Sequence, residues 1–355
     1  MRIGIYDPYL DDLGGGEKYM LSIAECLSRD NEVTLFWNNK NDLDTVLSRF
    51  SLDLSRITIS PNIFSSKVSL AKRLLESRKY DALIVLSDGS IPLVLSKKLF
   101  IHIQQPLPKV SLNIKTKLKL ARASKIFCNS YFTKSFVDSE LGVTSVVIYP
   151  PVSLHPKKVK KENIILHVGR FRVINAGVPN YKKQDVMVDV FKKMVDQGLK
   201  NWKFAIAAGV KAEDAPEFDA LKKEAEGYPI EFLVNRSNSD LWDIYSKAKI
   251  YWHASGYGEN LETHPEFAEH FGISTVEAMG SSAVPIVINA GGQKEIIEDG
   301  MSGFLWDNLE ELAEKTLMLT SDSDILAKMS KEAKKRAQDF AGDRFCEEIT
   351  KLIND

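Results

Sequence analysis

No apolar run in this sequence reaches the roughly eighteen residues that cross a bilayer, so the chain is expected to touch a membrane at most. An excess of either charge is missing as well. Lys and Arg number 47 against 48 Asp and Glu, for a net charge of -1, and that balance argues against nucleic acid as a partner. Cysteine is scarce. Cys26, Cys128 and Cys346 stand far apart and lack metal-ligand spacing, which predicts free buried thiols in a reducing cytoplasm. The opening Met-Arg-Ile-Gly-Ile-Tyr already reads as a strand, so no signal peptide is expected. Metal patterns are weak too. His264 and His270 have no acid–histidine cluster of fixed spacing around them. Asp42-Leu-Asp44 and Asp322-Ser-Asp324 follow no strand into a glycine loop and read as helix caps. No metal site is expected.

What is present is a globular composition. Over 355 residues, 44% are hydrophobic and 27% charged, enough for two domains of ordinary size. Arg2–Tyr6 reads as a strand, Leu13–Glu17 as a glycine-rich loop, Lys18–Arg29 as a helix and Glu32–Phe36 as the next strand. That succession begins an open parallel sheet. The loop is neither Gly-x-Gly-x-x-Gly nor a Gly-Lys-Ser phosphate loop. Further strands follow at Arg56–Ser60, Tyr80–Leu86, Lys98–Ile103, Ser124–Ser130 and Val146–Tyr149. A Pro- and Lys-rich linker covers 153–162, and Asn163–Val168 starts a second sheet of the same alternating kind.

The densest chemistry lies between Glu269 and Gly292. The run Glu269-His-Phe-Gly-Ile-Ser-Thr-Val-Glu277-Ala-Met-Gly280 reads as a loop and a helix opened by Ser274 and Thr275. Val284–Ile288 then reads as a core strand and Gly291-Gly292 as a turn. The unpartnered amides at such a helix start favour a phosphate, and Gly272 lets backbone approach it. Glu269 ahead of the helix and Glu277 one turn inside it suit a polyol joined to that phosphate. The plainer alternative makes Glu277 a cap or ion-pair partner and leaves Glu269 solvated. Upstream, Arg170 and Lys182 flank a strand-to-helix corner, where two cations could neutralise a diphosphate leaving group.

Glu, seven residues, Glu, with Phe-Gly inside and Glu-Ala-Met-Gly at the end, resembles the signature of the retaining glycosyltransferases of family 4. The resemblance extends over nearly the whole chain and is strongest from Asn163 to Leu305. It implies an α/β GT-B architecture, with two doubly wound Rossmann-like domains facing a cleft and a C-terminal helix crossing back to the first domain. The implied boundaries are 1–155 for an acceptor-side domain, 156–335 for a nucleotide-sugar domain and 336–355 for the returning helix. It implies Glu269, His102, Arg170 and Lys182 as catalytic residues. Gly15, Gly16, Phe271, Gly272, Ile273, Ser274, Thr275 and Glu277 would line the donor, with Glu277 on the ribose hydroxyls. His102 would touch the transferred sugar, although read by itself a lone His at a strand end is more often a core residue. Lys182 rather than Lys183 takes the diphosphate role, since Lys183 falls at a variable place.

The implied reaction moves a hexose, of mannose or glucose type, from a GDP- or UDP-linked donor to a hydroxyl of a glycan or lipid-linked acceptor, as in polysaccharide biosynthesis. A metal cofactor is not required. A nucleotide-sugar 2-epimerase or phosphorylase on the same fold, or a non-catalytic nucleotide-binding subunit, is the alternative. Two stretches exceed the family pattern: Arg172–Tyr181, and Ala254–Pro265 just ahead of Glu269. Lys109–Lys125 carries bases among apolar residues and no acid. It reads either as a solvated helix face or as a peripheral contact with anionic membrane, placing the protein in the cytoplasm or at the inner membrane surface.

Overall fold

Short β-branched runs buried on both faces, alternating with helices, give all-parallel sheets, and the chain builds two of them. The structure is a computed structural model that describes residues 1–11, 15–39, 41–43, 52–107, 113–172 and 180–355. It divides into two compact units, Met1–Pro151 with Gly342–Asp355, and Val152–Ala341.

The sheet of the first unit comprises β1 (Arg2–Tyr6), β2 (Glu32–Phe36), β3 (Ile57–Ser60), β4 (Ala82–Leu86), β5 (Lys98–Ile103), β6 (Lys125–Cys128) and β7 (Val146–Val147), in the order 3-2-1-4-5-6-7. Every pairing is parallel. Its helices are α1 (Gly15–Leu27), α2 (Leu70–Ser77), α3 (Ile114–Leu120) and α4 (Tyr131–Leu141). Ser69, Asn113 and Ser130 cap the last three through their side chains. Gly142 ends α4 in the left-handed conformation.

The sheet of the second unit is β8 (Ile164–Arg170), β9 (Lys203–Gly209), β10 (Ile230–Val234), β11 (Ile250–His253), β12 (Val284–Ile288) and β13 (Phe304–Trp306), ordered 10-9-8-11-12-13 and again wholly parallel. Its helices are α5 (Gln184–Asp196), α6 (Ala215–Glu224), α7 (Asn238–Lys247), α8 (Ile273–Gly280), α9 (Gln293–Ile296), α10 (Leu309–Ser321) and α11 (Ser323–Ala337). Ser237 and Asp240 form a capping box on α7. Asp322 caps α11, as its sequence context suggested. Asp44 lies outside the described residues. Both sheets reverse strand order once, between β1 and β4 and between β8 and β11. Open α/β sheets bind ligands beside the carboxyl ends of such strands.

The helix α11 ends at Ala337 and stays with the second unit. A separate helix, α12 (Gly342–Asn354), belongs to the first. Phe345, Ile349, Leu352 and Ile353 form its buried stripe, each worth about 1.5–3 kcal/mol of apolar burial. Phe345 meets the edge of Tyr19 on α1 at 5.0 Å between centroids. The Lys98 ammonium donates to the Ile353 carbonyl in the last turn, where a cation suits the helix dipole.

The cysteines require a correction. Cys26 on α1 and Cys346 on α12 form a disulfide, and Cys128 alone is free and buried. Their separation of 320 residues had suggested unrelated thiols, yet the return of α12 brings their Cα atoms to 5.2 Å. Replacing Cys26 by Ser should cost about 2–4 kcal/mol of stability in urea unfolding without reductant. With reductant, the variant and the native chain should unfold at similar midpoints; a gap that survives reduction would contradict a stabilising cross-link.

Candidate functional site

The carboxyl ends of β8 and β11 carry the side chains of interest. β8 runs through Gly169 to Arg170, so the Arg170 backbone is strand rather than loop, and its side chain is exposed. The Gln184 amide, first residue of α5, donates to the Arg170 carbonyl at 3.2 Å. It thereby ties the helix start to the strand end. Residues 173–179 of the long spacer lie outside the described residues. The turn at 180–183 then sends two ammonium groups in different directions.

Lys182 Nζ donates to Glu269 Oε2 at 2.9 Å. Lys183 Nζ donates to Glu259 Oε1 at 2.5 Å, with both side chains about 15% exposed. Lys183 sits in the left-handed region, at φ 56°, where a non-glycine residue is uncommon. A cation also stands on the unfavourable end of the α5 dipole. The Glu259 contact offsets both. The longer stretch from Ala254 is a built element: Gly256 N–H donates to the Tyr181 carbonyl at 2.8 Å, Tyr181 stacks on Phe267, and Asn260 accepts from the amides of Glu262 and Thr263.

Glu269 is the centre of the arrangement. Its Oε2 also lies 3.1 Å from His253 Nε2 at the end of β11. Burial alone would raise the carboxyl pKa, but the Lys182 ammonium and the His253 hydrogen bond together hold it well below the usual range. His253 is 1% exposed, and burial lowers its pKa despite the neighbouring carboxylate. The backbone beneath is set by the glycine pair. Gly292 N–H donates to the Glu269 carbonyl at 2.8 Å, and a Cβ on Gly291 would stand 2.3 Å from that same oxygen. Only glycine permits this approach.

The helix start that follows is opened by Gly272 at φ 123°, without a side-chain cap. Ser274 and Thr275 therefore lie inside α8 and do not cap it. The Ser274 hydroxyl pairs with the Tyr251 hydroxyl at 2.7 Å, and the Thr275 hydroxyl is buried without a partner. A side chain on Gly272 would come within 2.9 Å of the Gln293 amide, which is itself buried and unpartnered. Phe271 is buried against Phe340. Glu277, half-buried, accepts from the Tyr245 hydroxyl on α7 at 3.0 Å. The structure thus brings Lys182, Glu269, Phe271, Gly272, Ile273, Ser274, Thr275 and Glu277 together around the start of one helix.

The first unit revises one expectation. Gly15 and Gly16 are the first residues of α1 rather than loop, and Gly16 packs against the Gln104 amide; Leu13 and Gly14 lie outside the described residues. His102 is wholly buried, stacked on Tyr19 at 4.1 Å and on Phe127. Its Nδ1–H donates to the Phe127 carbonyl at 3.2 Å, and burial lowers its pKa to about 3. His102 thus packs beneath α1, with its Nε2 buried and without a hydrogen-bond partner. At the β1–β4 reversal stand Asp7, whose carboxyl burial raises to about 7, and Tyr9, whose hydroxyl donates to Asp88.

Sequence reading missed His253, Tyr245 and Asp7. The signal for His253 and Asp7 was their place at or just past the end of a strand flanking a reversal; Tyr245 had none, being one more apolar position of α7. Among the described residues no group of three or more His, Cys, Asp or Glu side chains is gathered as metal ligands would be.

A family model described as "Glycosyl transferases group 1" matches residues 154–336, just over half of the 355. The chain is 24% identical to the Dictyostelium discoideum GDP-Man:Man(3)GlcNAc(2)-PP-Dol alpha-1,2-mannosyltransferase, over 60% of this chain and 43% of that one. It is also 24% identical to a Campylobacter jejuni enzyme, GalNAc-alpha-(1->4)-GalNAc-alpha-(1->3)-diNAcBac-PP-undecaprenol alpha-1,4-N-acetyl-D-galactosaminyltransferase, over 96% of this chain and 95% of that one. Elsewhere the chain spans about half the length of the curated relatives it matches. Among solved structures, Anabaena HepE in complex with UDP has a TM-score of 0.74 at 18% identity, covering 100% of both chains.

Breaking the Lys183–Glu259 pair by Glu259→Ala should destabilise the second unit by about 2 kcal/mol and speed cleavage within 254–268 in limited proteolysis. The reversal Lys183→Glu with Glu259→Lys should recover most of the loss. Equal damage in the single and double variants would argue against the pairing.

Proposed function

Since the chain belongs to the group 1 glycosyl transferases and shares the fold of GT-B enzymes, we propose that it is a retaining glycosyltransferase of family 4 type. It moves a hexose from a nucleoside-diphosphate sugar to a hydroxyl of a glycan or lipid-linked acceptor. The observation that carries this reading is the Glu269 carboxylate, held ionised by Lys182 immediately ahead of an uncapped helix start. The α8 amides offer donors to phosphate oxygens. Lys182 and Arg170 offset the charge that builds on the departing diphosphate, so the reading needs no metal ion. Glu269 accepts from sugar hydroxyls, and Glu277, oriented by Tyr245, accepts from the ribose.

In the reaction the bond from anomeric carbon to diphosphate oxygen breaks. The acceptor oxygen bonds the same face of that carbon, and its proton leaves with the phosphate. Names among the relatives specify GDP-mannose and an N-acetylgalactosamine transfer onto polyprenyl diphosphate-linked glycans, and HepE was crystallised with UDP. Mannose or glucose types on GDP or UDP are therefore the donors to try first.

The lipid-linked acceptors of those relatives also favour a membrane contact through α3, within the 109–125 stretch. Residues 109–112 of that stretch lie outside the described residues. Ile114 is 77% and Leu118 66% exposed, one helical turn apart, and Lys115 and Lys117 are exposed beside them. No described helix is long and apolar enough to cross a membrane.

Thermal shift with UDP, GDP, ADP and their sugars tests the donor. A ligand at a hundred times its Kd should add about 2.7 kcal/mol, and a flat response to all of them would overturn the assignment. Glu269→Ala should lower turnover by about two or more orders of magnitude while nucleotide binding stays near native; loss of both together would contradict the role given to Glu269. Changing Lys115, Lys117 and Lys119 to Ala should weaken binding to vesicles containing phosphatidylserine, and unchanged binding would leave α3 a solvated face.

A further inference from the structure

We propose that His253 is the positioning residue for Glu269, fixing one carboxylate oxygen so that the other is presented to the sugar of the donor. The inference rests on the transferase reading above. His253 is the last residue of β11 and almost wholly buried, so it acts through a neighbour. The Ser255 backbone N–H points at Nδ1, 3.4 Å away. An N–H can only donate, so Nδ1 accepts and the ring proton lies on Nε2. That nitrogen stands 3.1 Å from Glu269 Oε2.

Both donors, His253 and Lys182, fall on Oε2. Among the described residues Oε1 accepts no hydrogen bond. One oxygen is thus engaged and the other is left to accept from a ligand hydroxyl. The two donors differ in kind. Lys182 has four rotatable methylenes and, in the transferase reading, moves onto the diphosphate when the donor binds. His253 sits on a strand paired on both sides, with a ring held between Ser255 and Glu269. It is the donor that remains when Lys182 is drawn away. A lysine alone would release the carboxylate at the moment the sugar arrives. A neutral imidazole keeps it oriented without adding a second positive charge.

The test separates sugar from nucleotide. His253→Leu removes the donor, and His253→Gln restores an N–H near the place of Nε2. Titration calorimetry compares UDP with UDP-glucose and GDP with GDP-mannose. For whichever pair the native protein binds, the Leu variant should keep nucleotide affinity and lose about tenfold in affinity for the nucleotide sugar, with Gln recovering most of it. Equal losses for nucleotide and nucleotide sugar, or an unchanged ratio, would overturn the positioning role and leave the transferase reading standing. A native protein that binds neither pair would overturn that reading and this inference with it. Because His253→Leu could fold poorly, a ligand-free measurement stands beside it. Nitrogen NMR of 15N-histidine-labelled native protein should show His253 protonated on Nε2, and protonation on Nδ1 alone would refute the hydrogen bond on which the proposal depends.

Discussion

A carboxylate withdrawn from water must be paired or it takes up a proton, and the second unit is arranged around meeting that demand at Glu269. Three separate pieces of chain converge to do so. The turn before α5 supplies an ammonium group, the end of β11 an imidazole, and the glycine pair after β12 the backbone on which Glu269 rests. Each piece sits at the carboxyl end of a strand, and two of those strands flank the reversal of strand order. The sheet topology therefore decides which residues can meet before any side chain is chosen.

Around this centre the structure separates what is stiff from what can move. Backbone approaches that only glycine allows, at Gly272 and at Gly291-Gly292, hold the loop and helix start in place. The Lys183–Glu259 pair and the Tyr181–Phe267 stack fix the 254–268 stretch against the turn at 180–183. Between these supports Lys182 donates to Glu269; in the proposed transfer it is the cation that changes partner as negative charge shifts onto the diphosphate.

Much of this was legible in the sequence. Alternating strands and helices, the two-unit division, and the carboxylate pair spaced for one helix start all follow from periodicity and from residue chemistry. What stayed hidden has physical reasons. The Cys26–Cys346 bond joins elements 320 residues apart, and no local pattern encodes a pairing made only when α12 returns to α1. The cover that α1 places over His102 was hidden too, because burial depends on packing that spacing cannot show. Ser274 and Thr275 have the chemistry of caps, yet Gly272, whose conformation is closed to other residues, starts the helix before them. His253 went unnoticed because a histidine ending an apolar strand carries no motif; its meaning comes from Glu269, sixteen residues on.

The first unit is assembled from both ends of the chain, whereas the second is one uninterrupted segment. During synthesis the second unit has all its residues once Ala341 has left the ribosome, while the first still lacks α12 and the partner of Cys26. Domains of a nascent chain usually mature from the amino end; here the amino-terminal sheet lacks its α12 cover until Gly342–Asn354 have emerged. Covalent closure by Cys346 can follow only after every residue of the second unit has been made, since Cys346 comes after Ala341.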